Sequence, residues 1–369
     1  MRVLGFMTGT SLDAVDMAVL ETDGEEILGL GPAGEKKLDP GCRGLVEAAT
    51  ADALAWPEGE PEPASFEPAR RAVADEHIAA AEAFMAAHGL LPEDLDYVGL
   101  QGQTVLHAPP GPGRAVGRTV QLIDAVRVAR SLGVPVVHDL RSDDVAAGGQ
   151  GAPLAPAYHA ALVSWSGFHA PTAVLNLGGV ANVTLVRRDG ELEAFDTGPA
   201  NGMIDLLMQA RTGRRYDEGG AAAAAGRVDE AVLAGYLADP YFARTGPKSL
   251  DRFDFSLEPV AGLPLEDAAA TLVAFTAESV ALGLRRSSEP PLRLVVCGGG
   301  RLNPVLMAAI RERLPLPVIT AEEAHWRGDS IEAEAFAFLA ARAVLGLPIS
   351  FPGTTGAPAP MTGGRVAWP

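Results

Sequence analysis

Cysteine, lysine and positive charge are all scarce in this sequence of 369 residues. The two cysteines, Cys42 and Cys297, make neither a disulfide framework nor a metal-ligand spacing, which agrees with a reducing compartment. The seven histidines (77, 88, 107, 138, 159, 169 and 325) show no zinc-ligand pattern either. No apolar run of membrane-spanning length is expected. The N-terminal stretch, interrupted by Gly9, Asp13 and Asp16 behind a single arginine, does not read as a signal peptide, so a cytoplasmic protein is expected. Lysine stands only at 36, 37 and 248, a composition bias from which nothing functional is drawn. With 29 Lys and Arg against 47 Asp and Glu, the net charge of −18 argues against nucleic acid and anionic membranes as partners. Neither a G-x-G-x-x-G nor a Walker A pattern is present.

What is present is a repeated arrangement of strands and glycine turns. Near the N-terminus, Val3, Leu4 and Phe6 make a buried strand that runs into Gly9, Thr10, Ser11, Leu12 and Asp13 and leaves through Ala14, Val15 and Asp16. Gly9 permits close backbone approach, and the hydroxyls of Thr10 and Ser11 beside turn N–H groups suit phosphate oxygens. Asp13 stands where a carboxylate holds Mg2+ or a metal-bound water. Strands at 17–21 and 27–30 complete a meander. From Ala173 the same plan returns: a strand to Asn176, a turn at Gly178 and Gly179, a strand over 180–186, an Asp189-Gly190 turn, and a strand ending at Asp196. Alone, one such turn is an ordinary polar hairpin. Two of them opening two halves predict a duplicated α/β chain, two ribonuclease-H-like (actin-like ATPase) domains with an interdomain cleft that grips a nucleotide. The acidic net charge does not exclude ATP, whose charge Mg2+ and backbone N–H groups meet.

The length suits two domains, expected at 1–145 (substrate and phosphate side) and 146–369 (nucleotide side), with the last helix packing back on the first. Residues 40–68 read as a helix fragment around Leu45-Val46-Glu47 and loop, followed by a helix over 69–88, a strand over 97–100, a helix over 121–132 and a strand over 134–137. In the second half, helices are expected near 201–212, 228–238, 265–285, 304–313 and 331–345, with strands at 294–297 and 317–319. The Pro/Gly/Thr-rich tail from Pro348 is expected to lie across the surface.

Ligands of open α/β sheets gather beyond the carboxyl ends of parallel strands. Segments 9–13, 102–104, 139–149 and 298–300 fall at such ends or at meander turns. In the densest of them, Asp143 or Asp144 is suited to be a general base, with Arg141 holding substrate or phosphate; an interdomain hinge capped by an ion pair is the plainer alternative. Gly298, Gly299 and Gly300 suit a flat ligand such as adenine, or simply a tight strand-to-helix turn. Asp196 is within reach of a metal or a ribose, and Lys248 and Arg252 are candidate anion ligands.

These segments together resemble the anhydro-N-acetylmuramic acid kinase family of the sugar kinase, Hsp70 and actin superfamily, nearly end to end. The carrying motifs are G-F-M-T-G-T-S-L-D-A-V-D, G-Q-T-V-L-H-A-P, D-L-R-S-D-D-V-A-A-G-G-Q-G-A-P-L, N-L-G-G-V-A-N-V-T, F-D-T-G-P-A-N, G-P-K-S, C-G-G-G-R-L-N-P and I-E-A-E-A-F-A-F-L-A. The resemblance implies ATP and Mg2+ as cofactors, binding along Gly9 to Asp16, and a homodimer. It implies a reaction in which water opens a 1,6-anhydro amino sugar at its anomeric carbon while O6 takes the γ-phosphoryl group. The family's catalytic aspartate falls on Asp144. Gln103, Thr104, Arg141, Gln150, Lys248 and Arg252 form the expected substrate set, and Asp13 and Asp196 the expected metal ligands. The sequence departs from the family at Thr8, Ala14, Gln101, Ile123 and Phe253. A kinase for another sugar or small acid, and a nucleotide-gated binding protein, are the rival readings.

Overall fold

A computed structural model describes residues 1–9, 12–111, 114, 116–250 and 254–369. Thr10, Ser11 and Arg252 lie outside the described residues. The chain opens with the meander β1 (Arg2–Thr8), β2 (Ala14–Thr22) and β3 (Ile27–Lys37). Helix α1 runs over Pro40–Ala55 and is far longer than the expected fragment. Its signal lies in Asp39-Pro40: the Asp39 carboxylate accepts from the Gly41 and Cys42 N–H groups, and proline suits the first helical turn. Helix α2 (Phe66–His88) ends at Gly89 in the left-handed region, followed by β4 (Tyr97–Leu100).

A hairpin of β5 (Gln103–Ala108) and β6 (Arg118–Leu122) comes next, so residues 121–122 close a strand and α3 starts only at Ala125, running to Leu132. The Thr104-Val105-Leu106 alternation carried that strand, and the Pro/Gly loop behind it obscured the signal. Strand β7 (Val136–His138), α4 (Ser142–Ala146) and α5 (Pro156–Trp165) complete this stretch. The second meander is β8 (Thr172–Leu177), β9 (Val180–Val186) and β10 (Leu192–Pro199). Helices α6 (Asn201–Thr212), α7 (Ala221–Ala225), α8 (Glu230–Leu237) and α9 (Leu265–Arg286) follow, then β11 (Leu294–Cys297), α10 (Pro304–Arg313) and β12 (Val318–Thr320). The chain ends with α11 (Ile331–Val344), α12 (Pro352–Thr355) and β13 (Arg365–Ala367).

Two compact units result: residues 1–165 with 330–369, and residues 166–329. The division therefore falls twenty residues after the expected boundary at 145, and the last forty residues return to the first unit. The first unit keeps α5 because Tyr158 donates to the buried Glu334 of α11 at 2.6 Å. Its sheet has the order β13-β7-β4-β1-β2-β3, with β1, β4 and β7 parallel. The second sheet has the order β10-β9-β8-β11-β12, with β8, β11 and β12 parallel. Without β13 the two orders are the same, a ribonuclease-H-like plan used twice.

Helix α11 lies against β1 and β4 through small residues. Gly5 and Gly99 are register partners, and a Cβ on Gly5 would stand 2.0 Å from the Ala333 carbonyl oxygen, one on Gly99 2.5 Å from that of Phe336. Both obstacles are backbone, so neither can turn aside. Gly5→Ala is expected to cost roughly 3 kcal/mol; an unchanged denaturation midpoint would contradict this packing.

Among the described residues α9 is long and apolar enough to cross a membrane, with a mean hydropathy of 1.3 over its most apolar stretch, which corrects the expectation that no run reaches that length. That stretch is 83% buried in the protein, and Phe275 stacks on Tyr236 of α8, so α9 serves as the core helix of the second unit.

Candidate active site

Because β1, β4 and β7 run parallel, the segments after Thr8, Leu100 and His138 emerge at one edge of the first sheet. Three of the four segments singled out in the sequence are thereby gathered.

At this edge Asp144 is 2% exposed. Its Oδ1 accepts from the Gly151 N–H at 2.6 Å, and its Oδ2 accepts from the hydroxyls of Ser350 at 2.5 Å and Thr355 at 2.6 Å. The tail thus enters the site and does not lie across the surface: Thr355 also takes the Gln150 N–H on its carbonyl at 2.7 Å. A Cβ at 149 would stand 2.2 Å from Asp144 Oδ1, so any side chain there would displace this carboxylate. Asp143, the other candidate base, points to the tail, where Arg365 grips it with two hydrogen bonds of 2.7 Å. That guanidinium holds the Asp143 carboxyl below its ordinary value against the opposing effect of burial.

Arg141 joins the same group. It donates to the Gly151 carbonyl at 2.6 Å and, through Nε and Nη2, to the Gln101 side-chain oxygen. Burial pulls its pKa down to about 10, with Glu332 and Asp144 opposing. Gln101, one of the departures noted above, in turn donates to Thr104 at 3.1 Å. An amide suits this position because its oxygen takes two guanidinium N–H groups while its nitrogen still donates. Gln103 is 2% exposed, and its Oε1 has no hydrogen-bond partner among the described residues. Arg141, Gln150, Gln103 and Thr104 therefore accompany Asp144 in one unit.

The first turn is held differently. Leu12 sits at φ 55°, and Arg43 donates to its carbonyl at 2.5 Å while standing 3.8 Å from Asp13 Oδ1. Asp13 is half-buried, and the Leu38 N–H donates to its carbonyl at 3.0 Å. Asp16 pairs in register with Met7 and Glu35 on the neighbouring strands.

In the second unit Asn176, Asn182 and Asp196 stand in one cross-strand row. Asp196 Oδ1 accepts from Asn182 at 2.8 Å and Oδ2 from the Leu250 N–H at 2.7 Å. Burial pushes this carboxyl up, and those two hydrogen bonds and the Lys248 charge oppose the shift. Gly178, Gly179 and Gly298–Gly300 meet at the carboxyl ends of β8 and β11, and the Asn201 amide closes on the Leu177 carbonyl at 3.1 Å. Beside them lies a cavity of about 330 Å³, lined by Asn201, Asp205, Tyr216, Gly299 and Asn303 among others. Burial raises the Asp205 carboxyl to about 6, with Arg215 opposing. Asp205 escaped the sequence reading, although it follows Asn201 by four residues on α6 and so shares its face.

Lys248 differs from the expected anion ligand. It is 6% exposed, donates to the carbonyls of Tyr241 and Arg244 at 3.2 Å each, and lies 4.2 Å from the Tyr241 ring centre. Burial, Arg244 and Arg286 pull its pKa down to about 8. Its own carbonyl accepts the Asp196 N–H at 2.9 Å, so it braces the loop over Asp196.

Among the described residues no group of three or more His, Cys, Asp and Glu side chains is placed to hold a metal.

The family model described as anhydro-N-acetylmuramic acid kinase matches residues 1–368. An anhydro-N-acetylmuramic acid kinase from Caulobacter vibrioides is 64% identical over 366 residues, covering 99% of this chain and 98% of that one. One from Phenylobacterium zucineum is 62% identical over the whole of both chains, and one from Methylobacterium nodulans 48% identical, again over the whole of both.

Proposed function

The chain belongs to the anhydro-N-acetylmuramic acid kinase family, and we propose that it opens 1,6-anhydro-N-acetylmuramic acid with water and phosphorylates the released O6 from ATP. The products are N-acetylmuramic acid 6-phosphate and ADP, in the recycling of cell-wall sugar. The observation that carries this reading is the buried Asp144 carboxylate, held by three donors beside Arg141. The substrate has no free 6-hydroxyl, so a base finds no proton on the reacting oxygen and acts on the water.

In this reading Asp144 takes a proton at Oδ1 as the water oxygen bonds to the anomeric carbon. The bond from that carbon to O6 breaks, and O6 takes the γ-phosphoryl group. Arg141, steadied by Gln101, holds the sugar or a phosphate oxygen, and Thr104 and Gln150 add polar contacts. The Oε1 of Gln103, without a partner among the described residues, is an acceptor suited to a sugar hydroxyl. Residues 9–16 suit the phosphates, and the glycine turns and cavity of the second unit suit the nucleoside. Mg2+ would be held by Asp13, with Asp196 as a second candidate, and supplies charge neutralisation to the transferring group. Lys248 supports this reading only through the loop over Asp196. A cytoplasmic homodimer belongs to the proposal on the strength of the family alone.

The test is mass spectrometry of the product formed from 1,6-anhydro-N-acetylmuramic acid, ATP and Mg2+ in 18O-labelled water. One label at the anomeric carbon of a phosphosugar is the expected result. ATP consumption stimulated by a different sugar would transfer the reading to another substrate, and slow hydrolysis that no sugar stimulates would leave a nucleotide-gated binding protein.

A further inference from the structure

Neither Ser350 nor Thr355 was a candidate in the sequence, yet both hydroxyls end on one oxygen of a buried carboxylate. A carboxylate has about four acceptor positions. The Ser350 and Thr355 hydroxyls occupy both on Oδ2, and the Gly151 N–H occupies one on Oδ1. Among the described residues, that leaves one Oδ1 position for a water.

The tail is anchored to deliver these hydroxyls. Ser350 bridges to Met361, with the Met361 N–H on the Ser350 carbonyl at 2.9 Å, and β13 pairs with β7, the strand that leads into the Asp144 loop. Thr355 is fixed a second time by the Gln150 N–H. We propose that Ser350 and Thr355 are positioning residues of the reaction: they turn the Asp144 carboxylate so that a single Oδ1 lone pair faces the nucleophilic water. The inference rests on Asp144 being the base.

The other ionisable groups facing Asp144 are Arg141 on its own loop and His107 on β5, with Glu332 at the start of α11 facing Arg141. The tail contributes hydroxyls, and its Arg365 is committed to Asp143. Loss of the two hydroxyls therefore frees the carboxylate to turn, which lowers kcat and leaves nucleotide binding untouched.

The experiment compares Ser350→Ala/Thr355→Val, Thr355→Val, Thr355→Ser and Asp144→Asn in the full chain. The double variant is expected to lose about tenfold in kcat and to keep its KM for ATP. Thr355→Ser restores the hydroxyl and is expected to return kcat, so the Thr355→Val and Thr355→Ser pair carries the test if the double variant fails to fold. An unchanged kcat in Thr355→Val and the double variant, or a loss that Thr355→Ser does not restore, with Asp144→Asn inactive, overturns this inference and leaves Asp144 as base. Full turnover by Asp144→Asn overturns the assignment of the base itself.

Discussion

Asp144→Asn is expected to lower kcat for sugar phosphorylation by about a thousandfold, close to 4 kcal/mol in the barrier, while ATP affinity stays within twofold. The amide accepts no proton at neutral pH, so water must attack without a base. The fold should survive the change, because the environment of Asp144 can accommodate an amide. The Asn oxygen can keep the Gly151 N–H, and the Ser350 and Thr355 hydroxyls can rotate to accept from its NH2 group. Nucleotide titration by calorimetry, beside the steady-state assay, separates the outcomes. Equal loss of turnover and ATP binding would falsify the role and make Asp144 a structural anchor.

Gly298→Ala should have the second largest effect. Gly298 sits at φ 74°, where a Cβ is strained, and that Cβ would stand 2.2 Å from Asn176 Oδ1 and 2.8 Å from the Leu177 nitrogen and carbonyl carbon. The Asn176 side chain can move, but the Leu177 backbone belongs to a central strand. Together, strain and overlap cost roughly 3 kcal/mol, which for a unit the size of residues 166–329 lowers its Tm by about 6–12 °C. Nucleotide affinity should fall with it, since the displaced strand ends carry the Gly178-Gly179 turn. Gly299→Ala is the control: its Cβ meets nothing within 4 Å, so Tm should hold. A Gly298→Ala protein as stable as the unmodified one would mean that the β8 and β11 ends are farther apart than described.

Much of the architecture was legible along the chain. Both meanders, the Gly89 and Gly133 helix ends and the helix over 304–313 follow from alternation, helical periodicity and glycine at positive φ, preferences that act within about ten residues. The α1 helix was obscured by its glycines and alanines, although Asp39-Pro40 marked its start. The β5–β6 hairpin was lost behind its own Pro/Gly connection.

The motifs and their spacing were enough to determine the family, the twofold ribonuclease-H-like plan and the loop from Asp139 to Gly151 as the place to look. Only the tertiary structure decided which groups that loop meets. Asp143 and Asp144 are adjacent and chemically alike; one is engaged by Arg365 and the other by Ser350 and Thr355, which lie 206 and 211 positions away in the chain. Lys248 looks like a free cation on a loop until three-dimensional packing supplies it with two carbonyls and a tyrosine ring. The reason is the same in both cases. Backbone preference and periodicity are local and can be read in order, whereas hydrogen-bond partners of a buried polar group depend on which distant segment the sheet edge and helix packing bring beside it.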